Sequence, residues 1–177
     1  MRMSHSIGVV LALGFLASTG LVASQEKKRA SPHETVSATV DGAKISVTYG
    51  RPYAKGRKIV GGLVPYGQVW RTGADEATTL VTDEALMFGS THVSPGTYTL
   101  YTLPSEKEWQ LIINKQTGQW GTAYDQAQDL ARIPMTVSAT GAPVEQLTIA
   151  IADTPGGGEL RLSWENTQAT APFTVMQ

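Results

Sequence analysis

Beyond residue 34 the chain alternates apolar and polar residues, with repeated interruptions by Gly, Pro, Asp and Asn. In "TVSATVDGAKISVTYG" two such runs flank Asp41-Gly42, and Ile45, Val47 and Tyr49 fall on one face of the second. Asp-Gly suits a type I′ turn, whose two central residues need positive φ, so the pattern predicts a β-hairpin. "EWQLIINK" places Trp109, Leu111 and Ile113 on one face. "EQLTIAIAD" sets Leu147, Ile149 and Ile151 against Gln146, Thr148 and Ala150, and "GELRLSWEN" sets Leu160, Leu162 and Trp164 against Glu159, Arg161 and Ser163. A period of two is the mark of a half-buried strand.

"TTLVTDEALMFG" and "THVSPGTYTLYTLP" carry β-formers around Asp83-Glu84 and Pro95-Gly96, and "DTPGGGE" reads as a hairpin loop. "NKQTGQWGTAYDQAQDLARIPMTVSAT" breaks the rhythm. Gln126 to Arg132 predicts a helical turn or two with Asp125 as N-cap, and Pro134 returns the chain to an extended segment, Met135 to Ala139. Roughly eight to ten short strands with Gly/Pro punctuation predict an all-β fold. The expected architecture is a single antiparallel β-sandwich, jelly-roll-like, with one or two short helical turns.

At 177 residues, with 41% hydrophobic and 16% charged residues, the chain has the size and composition of one globular domain. Such a domain buries enough surface to fold without a staple. There is no cysteine, so thiol catalysis and Cys-ligated metal centres are excluded.

The N-terminus, "MRMSHSIGVVLALGFLASTGLVASQEKKRA", has a basic Arg2, an apolar run from Ile7 to Ala17, and small residues at Val22-Ala23-Ser24. It predicts a signal peptide over residues 1–24, with Gln25 as the first mature residue. Ile7 to Val22 is only 16 residues, interrupted by Ser18, Thr19 and Gly20, and so is short for a membrane anchor. The expectation is a periplasmic or secreted protein with no membrane span after cleavage, a polar linker over 25–32 and one domain over 33–177.

Net charge is −1 but unevenly spread. Arg51, Lys55, Arg57, Lys58 and Arg71 fall in a stretch without an acid, whereas 12 acids face four bases from Thr72 to Gln177, a balance of −8. A local anion-attracting patch on an acidic protein is the implication, not a nucleic-acid binder.

"YGRPYAKGRKIVGGLVPYGQVWRTGADEATTL", "SPGTYTLYTLPSEKEWQLIINKQTGQWGTAYD" and "LRLSWENT" resemble the DUF2911 family of exported bacterial proteins, over about Glu34 to Val175. The resemblance implies a compact, mostly β domain behind a signal peptide. The family carries no established activity, ligand or catalytic residue, so the resemblance implies no function.

Candidate chemistry concentrates in two loops. In the first, Arg51, Lys55, Arg57, Lys58 and Arg71 have the residue types to bind a carboxylate, sulfate or phosphate, beside Trp70 and Asp75. A structural reading stands beside it: Trp70 plugs a sheet end and Arg71 pairs with Asp75 or Glu76. In the second loop Trp120, with Asn114, Tyr124 and Asp125 nearby, resembles a sugar-stacking platform. Its structural alternative has Trp120 closing the core.

Asp75 and Glu76, adjacent on an expected strand, should point to opposite faces and not pair. The histidines after the signal segment are His33, assigned to the tail, and His92, assigned to a turn; no HxH or HExxH spacing occurs, and no metal or cofactor is expected. Neither a P-loop nor a GxSxG elbow is present. Catalytic residues are unassigned. The expected function is binding of a polar or anionic ligand, such as an acidic saccharide or envelope fragment, at a basic-aromatic cleft. The alternatives are a glycan hydrolase using Asp75 or Glu76 with Asp125, and an envelope structural or assembly partner with a protein ligand.

Overall fold

A computed structural model describes residues 29–176. The expected signal peptide and the first half of the expected linker lie outside the described residues. Nine strands form one antiparallel system: β1 (His33–Val40), β2 (Ala43–Gly50), β3 (Ala74–Thr82), β4 (Leu86–Phe88), β5 (Thr91–Val93), β6 (Gly96–Leu103), β7 (Trp109–Asn114), β8 (Asp129–Thr154) and β9 (Gly157–Val175). Their spatial order is β1-β2-β3-β6-β7-β8-β9-β4-β5, a meander broken only where β4 and β5 leave to pair with the end of β9. The fold is a predominantly antiparallel, sandwich-like β-structure, with a single helical turn among the described residues.

The local patterns hold where they were clearest. Asp41 (φ 46°) and Gly42 (φ 89°) close the β1–β2 hairpin with the two positive φ angles that a type I′ turn requires. Ile45, Val47, Tyr49, Trp109, Leu111, Ile113, Leu160, Leu162 and Trp164 are all buried. Asp125 caps a 3₁₀ turn at Gln126–Gln128, its carboxylate accepting from Ala127 N–H at 2.9 Å. That turn is shorter than the expected helix, because Asp129 to Arg132 already pair with β7.

The runs around Met135 and Leu147 are not separate strands but parts of one, the 26-residue β8. Its partner β9 is 19 residues long. Register between them shifts on both sides of Val144, which faces Glu165, a residue with φ of 53°. Such bulges bend a strand pair. The far halves of β8 and β9 fold back onto β1 and β2. Tyr49, buried on β2, fastens this contact by accepting the Ile149 N–H at 2.9 Å through its hydroxyl.

Strands β6 and β7 are buried on both faces, since Ile112, Asn114, Thr99 and Tyr101 are as enclosed as the core residues opposite them. Residues 115–128 cover the second face: Thr99 Oγ donates to the Gln116 carbonyl at 2.7 Å and Gln119 Nε2 donates to the Tyr101 hydroxyl at 3.1 Å.

Tyr49→Phe removes the buried acceptor of the Ile149 N–H without opening a cavity. It should lower stability by about 1–3 kcal/mol, the cost of an unsatisfied buried donor. Urea unfolding of the two proteins measures it.

Candidate functional site

Residues 51–73, between β2 and β3, form a long connection with no regular strand or helix. Such loops in compact domains are usually functional. Ala54, Ile59 and Val64 anchor it in the core. Backbone bonds tie it to the bulged part of β8 and β9. Ala54 N–H donates to the Glu145 carbonyl (2.7 Å) and Leu147 N–H to the Pro52 carbonyl (3.0 Å). The Glu145 carboxylate takes Lys55 N–H (2.9 Å), and the Glu165 carboxylate takes Ile59 N–H (2.9 Å).

Beside this loop opens a cleft of about 710 Å³. Lys55, Arg57, Trp70, Arg71, Asp75 and Tyr124 line it, six of the ten residues expected to form a ligand site. Tyr53, Tyr101 and Trp164 complete the aromatic wall, with Ala30 and Ser31 of the segment before β1 at its edge. Trp70 stacks on Trp164 with ring centroids 5.8 Å apart and planes 20° apart. Trp70 is thus both packing and lining, joining the two readings of it. Trp164 announces itself in sequence only as the inward residue of a strand, so its place in the cleft was missed.

The other four residues lie differently. Arg51 is held by the Glu34 carboxylate, the Leu147 carbonyl (3.0 Å) and Thr148 Oγ (3.0 Å), joining β1, β2 and β8. Lys58 borders a separate depression with Glu145 and Glu165. Asn114 is fully buried. Its Nδ2 donates to the Asp125 carbonyl and to Asp129 Oδ1, both at 2.9 Å, and its Oδ1 accepts Gln116 N–H at 3.0 Å. It positions the loop that carries Tyr124. Trp120 does not close the core: it is 52% exposed, and its backbone bridges to Glu76.

Nor does Arg71 pair with Asp75 or Glu76. Its Nε donates to the Gly73 carbonyl at 3.1 Å, and among the described residues no carboxylate lies within ion-pair distance of Arg71, Arg57, Lys55 or Lys58. Arg57 donates to the carbonyls of Ala54 (2.9 Å) and Tyr53 (2.6 Å), which fixes its stem at the cleft wall. With Asp75 the only carboxylate among the described lining residues, three cations against one anion give that lining a formal charge of +2.

Asp75 and Glu76 overturn the strand rule. Asp75 has φ of 65°, a conformation uncommon outside glycine, which breaks the alternation of faces. Both carboxylates therefore reach His33, with Nε2 3.4 Å from Asp75 and 3.3 Å from Glu76. His33 is not in a free tail but begins β1. These are metal-ligating residue types within 4.8 Å of one another, where no such group was expected. The pKa of Glu76 is lowered, by its own backbone N–H and by the Arg29 guanidinium. A general acid for glycoside cleavage needs the opposite shift.

Tyr124 donates to Asp129 Oδ2 at 2.6 Å and accepts from Arg132 at 3.0 Å, and its ring meets Tyr101 edge-on at 4.8 Å. Burial, reinforced by the Asp129 hydrogen bond, pushes its pKa up to about 12. Burial also raises the pKa values of Tyr101 and Tyr49.

Between Arg71 and Asp75 the backbone of Gly121 approaches so closely that a Cβ there would stand 2.8 Å from Arg71 Cδ and 2.9 Å from the Asp75 carbonyl oxygen. That carbonyl also accepts the Gly121 N–H at 2.9 Å. Gly121→Ala should destabilise by about 1–3 kcal/mol, as overpacking does. It should also displace the Arg71 stem, both effects being readable by urea unfolding and a crystal structure of the variant.

Above the ordinary phenol pKa of about 10 the unfolded chain ionises its tyrosines while the fold keeps Tyr124 protonated, so the unfolded state binds fewer protons and stability falls as pH rises. The contribution is intact below pH 10 and is lost on approaching about 12. Tyr124→Phe should flatten that decline, measured as urea midpoints at pH 9 and pH 11.

One family model matches residues 31–173, the family described as "Protein of unknown function (DUF2911)". No curated protein and no solved structure matches the chain. The match takes in β1 through most of β9, including the long loop and every cleft residue from Ser31 onward. The chain belongs to the DUF2911 family.

Proposed function

We propose that this protein is an exported binding protein whose cleft takes a polar, anionic ligand, such as an acidic saccharide or a fragment of the cell envelope. One observation carries the reading: Lys55, Arg57 and Arg71 converge on an aromatic-walled cleft, and no described carboxylate neutralises them. Cations that merely decorate a surface seldom share one concave site with Trp70, Tyr53, Tyr101 and Tyr124. The cleft volume of about 710 Å³ lies within the roughly 300–1,000 Å³ typical of small-molecule sites.

The roles follow from the side chains. Arg71 and Arg57 have guanidinium N–H groups left over after their backbone contacts, and these suit the oxygens of a carboxylate or phosphate. Lys55 adds an ammonium group that has no ion-pair partner among the described residues. Trp70 and Tyr124 supply flat apolar faces, and Asp75 accepts from ligand hydroxyls. Trp120, exposed on the loop that lines the cleft, extends the aromatic surface for a longer ligand. Export rests on the basic, apolar and small-residue pattern of residues 1–24.

The test is a thermal-shift panel of acidic oligosaccharides, muropeptides and uncharged oligosaccharides of matching length. A ligand at 100 times its Kd adds about 2.7 kcal/mol, enough to raise Tm by roughly 5–10 °C. The acidic compounds should shift Tm and the uncharged ones should not. Arg71→Gln, which retains part of the stem that packs on Gly121, should abolish the shift while folding normally. A flat response to every acidic compound would refute the anionic-ligand reading.

A further inference from the structure

At the edge of the cleft, His33 from the start of β1 meets Asp75 and Glu76 from the start of β3. We propose that these three side chains form a binding site for a divalent transition-metal cation of the Zn²⁺ type, and that Arg29 competes for it as an internal cation. The proposal does not depend on the cleft's ligand being an anion.

The geometry is the first ground. His33 Nε2 stands 3.3 Å from Glu76 Oε2 and 3.4 Å from Asp75 Oδ2. Zinc binds imidazole nitrogen and carboxylate oxygen at about 2.0–2.2 Å with tetrahedral angles, which sets neighbouring ligand atoms roughly 3.3–3.5 Å apart. The observed separations match that edge. All three ligand atoms lie within 4.8 Å of one another. The side chains are only partly exposed, at 24% for His33, 30% for Asp75 and 45% for Glu76, so a cation would keep solvent access.

The second ground is that a cation already occupies this position. The Arg29 guanidinium donates to Glu76 Oε1 and Oε2, each at 2.7 Å, and the same Nη1 stands 2.8 Å from His33 Nε2. Two carboxylates and one imidazole thus converge beside a single guanidinium. Among the described residues, His33 is the one basic side chain within ion-pair distance of Asp75.

The backbone supplies a third ground. A regular strand would send Asp75 and Glu76 to opposite faces, and the left-handed φ of 65° at Asp75 turns both toward His33. One imidazole with two carboxylates suits first-row transition ions, whereas Mg²⁺ and Ca²⁺ favour sites built of oxygen alone. Three protein ligands leave coordination positions open, and because Asp75 also lines the cleft the cation would border it.

Calorimetric titration of the chelator-stripped full chain with ZnCl₂, and separately with MgCl₂, tests this. One Zn²⁺ should bind per chain, with no comparable heat from Mg²⁺. His33→Gln and Glu76→Gln should each weaken binding by at least the roughly 10- to 100-fold that losing an outer-shell partner costs. Arg29→Gln should tighten it by removing the competitor, and His92→Gln should leave it unchanged. Thermal unfolding of each variant separates loss of the site from loss of the fold. Absence of saturable one-to-one Zn²⁺ binding, binding that survives in folded His33→Gln and Glu76→Gln proteins, or an Arg29→Gln affinity no tighter than the original would each overturn the proposal.

Discussion

The bend in the β8–β9 hairpin is the constraint on which the rest depends. Two strands of 26 and 19 residues cannot stay straight in a domain of this size, and the register shifts around Val144 and Glu165 fold them back onto β1 and β2. Folding back buries Leu147, Ile149, Leu160 and Leu162 against Val47 and Tyr49 in one core. It also turns the Glu145 carbonyl and the carboxylates of Glu145 and Glu165 toward the long loop after β2. The long loop after β2 uses those groups as its anchor points. A bulge that would otherwise be a local defect thereby becomes the seat of the basic loop.

The loop's two roles explain each other. Ile59 and Val64 fill the end of the core, so the loop is fixed by burial and not only by its hydrogen bonds. With Ala54, Ile59 and Val64 turned inward, Lys55, Arg57 and Arg71 are left at the cleft wall, the two guanidinium groups held by carbonyls and the Arg71 stem by the Gly121 contact. Preorganised cations lose little conformational freedom on meeting an anion. Opposite them, Asn114 satisfies the buried backbone of the 115–128 cover and so sets Tyr124 in place.

Charge is sorted along the same lines. Arg51, although part of the basic stretch, is spent on Glu34 and β8, while the acids nearest the cleft are engaged by Arg29 and His33 and not by the loop cations. Like charge is thus kept together at the wall, and opposite charge at the junction of β1 and β3. Two chemically distinct neighbourhoods result, and they share Asp75.

Much of this was legible in the chain itself. The faces of β2, β7 and the far halves of β8 and β9, the type I′ turn at Asp41-Gly42, the Asp125 cap and the family all follow from local periodicity, turn chemistry or motif, which need only neighbouring residues. The basic-aromatic character of the Arg51 to Arg71 loop was legible for the same reason. What three-dimensional packing decided depends on residues far apart in sequence. Trp164 became cleft wall because a bulge carried it to Trp70; Asn114 and Arg51 became internal ties because the 115–128 cover and β8 closed over them. His33 met Asp75 and Glu76 because one left-handed residue broke the strand alternation, and a period of two read from sequence has no way to register a positive φ.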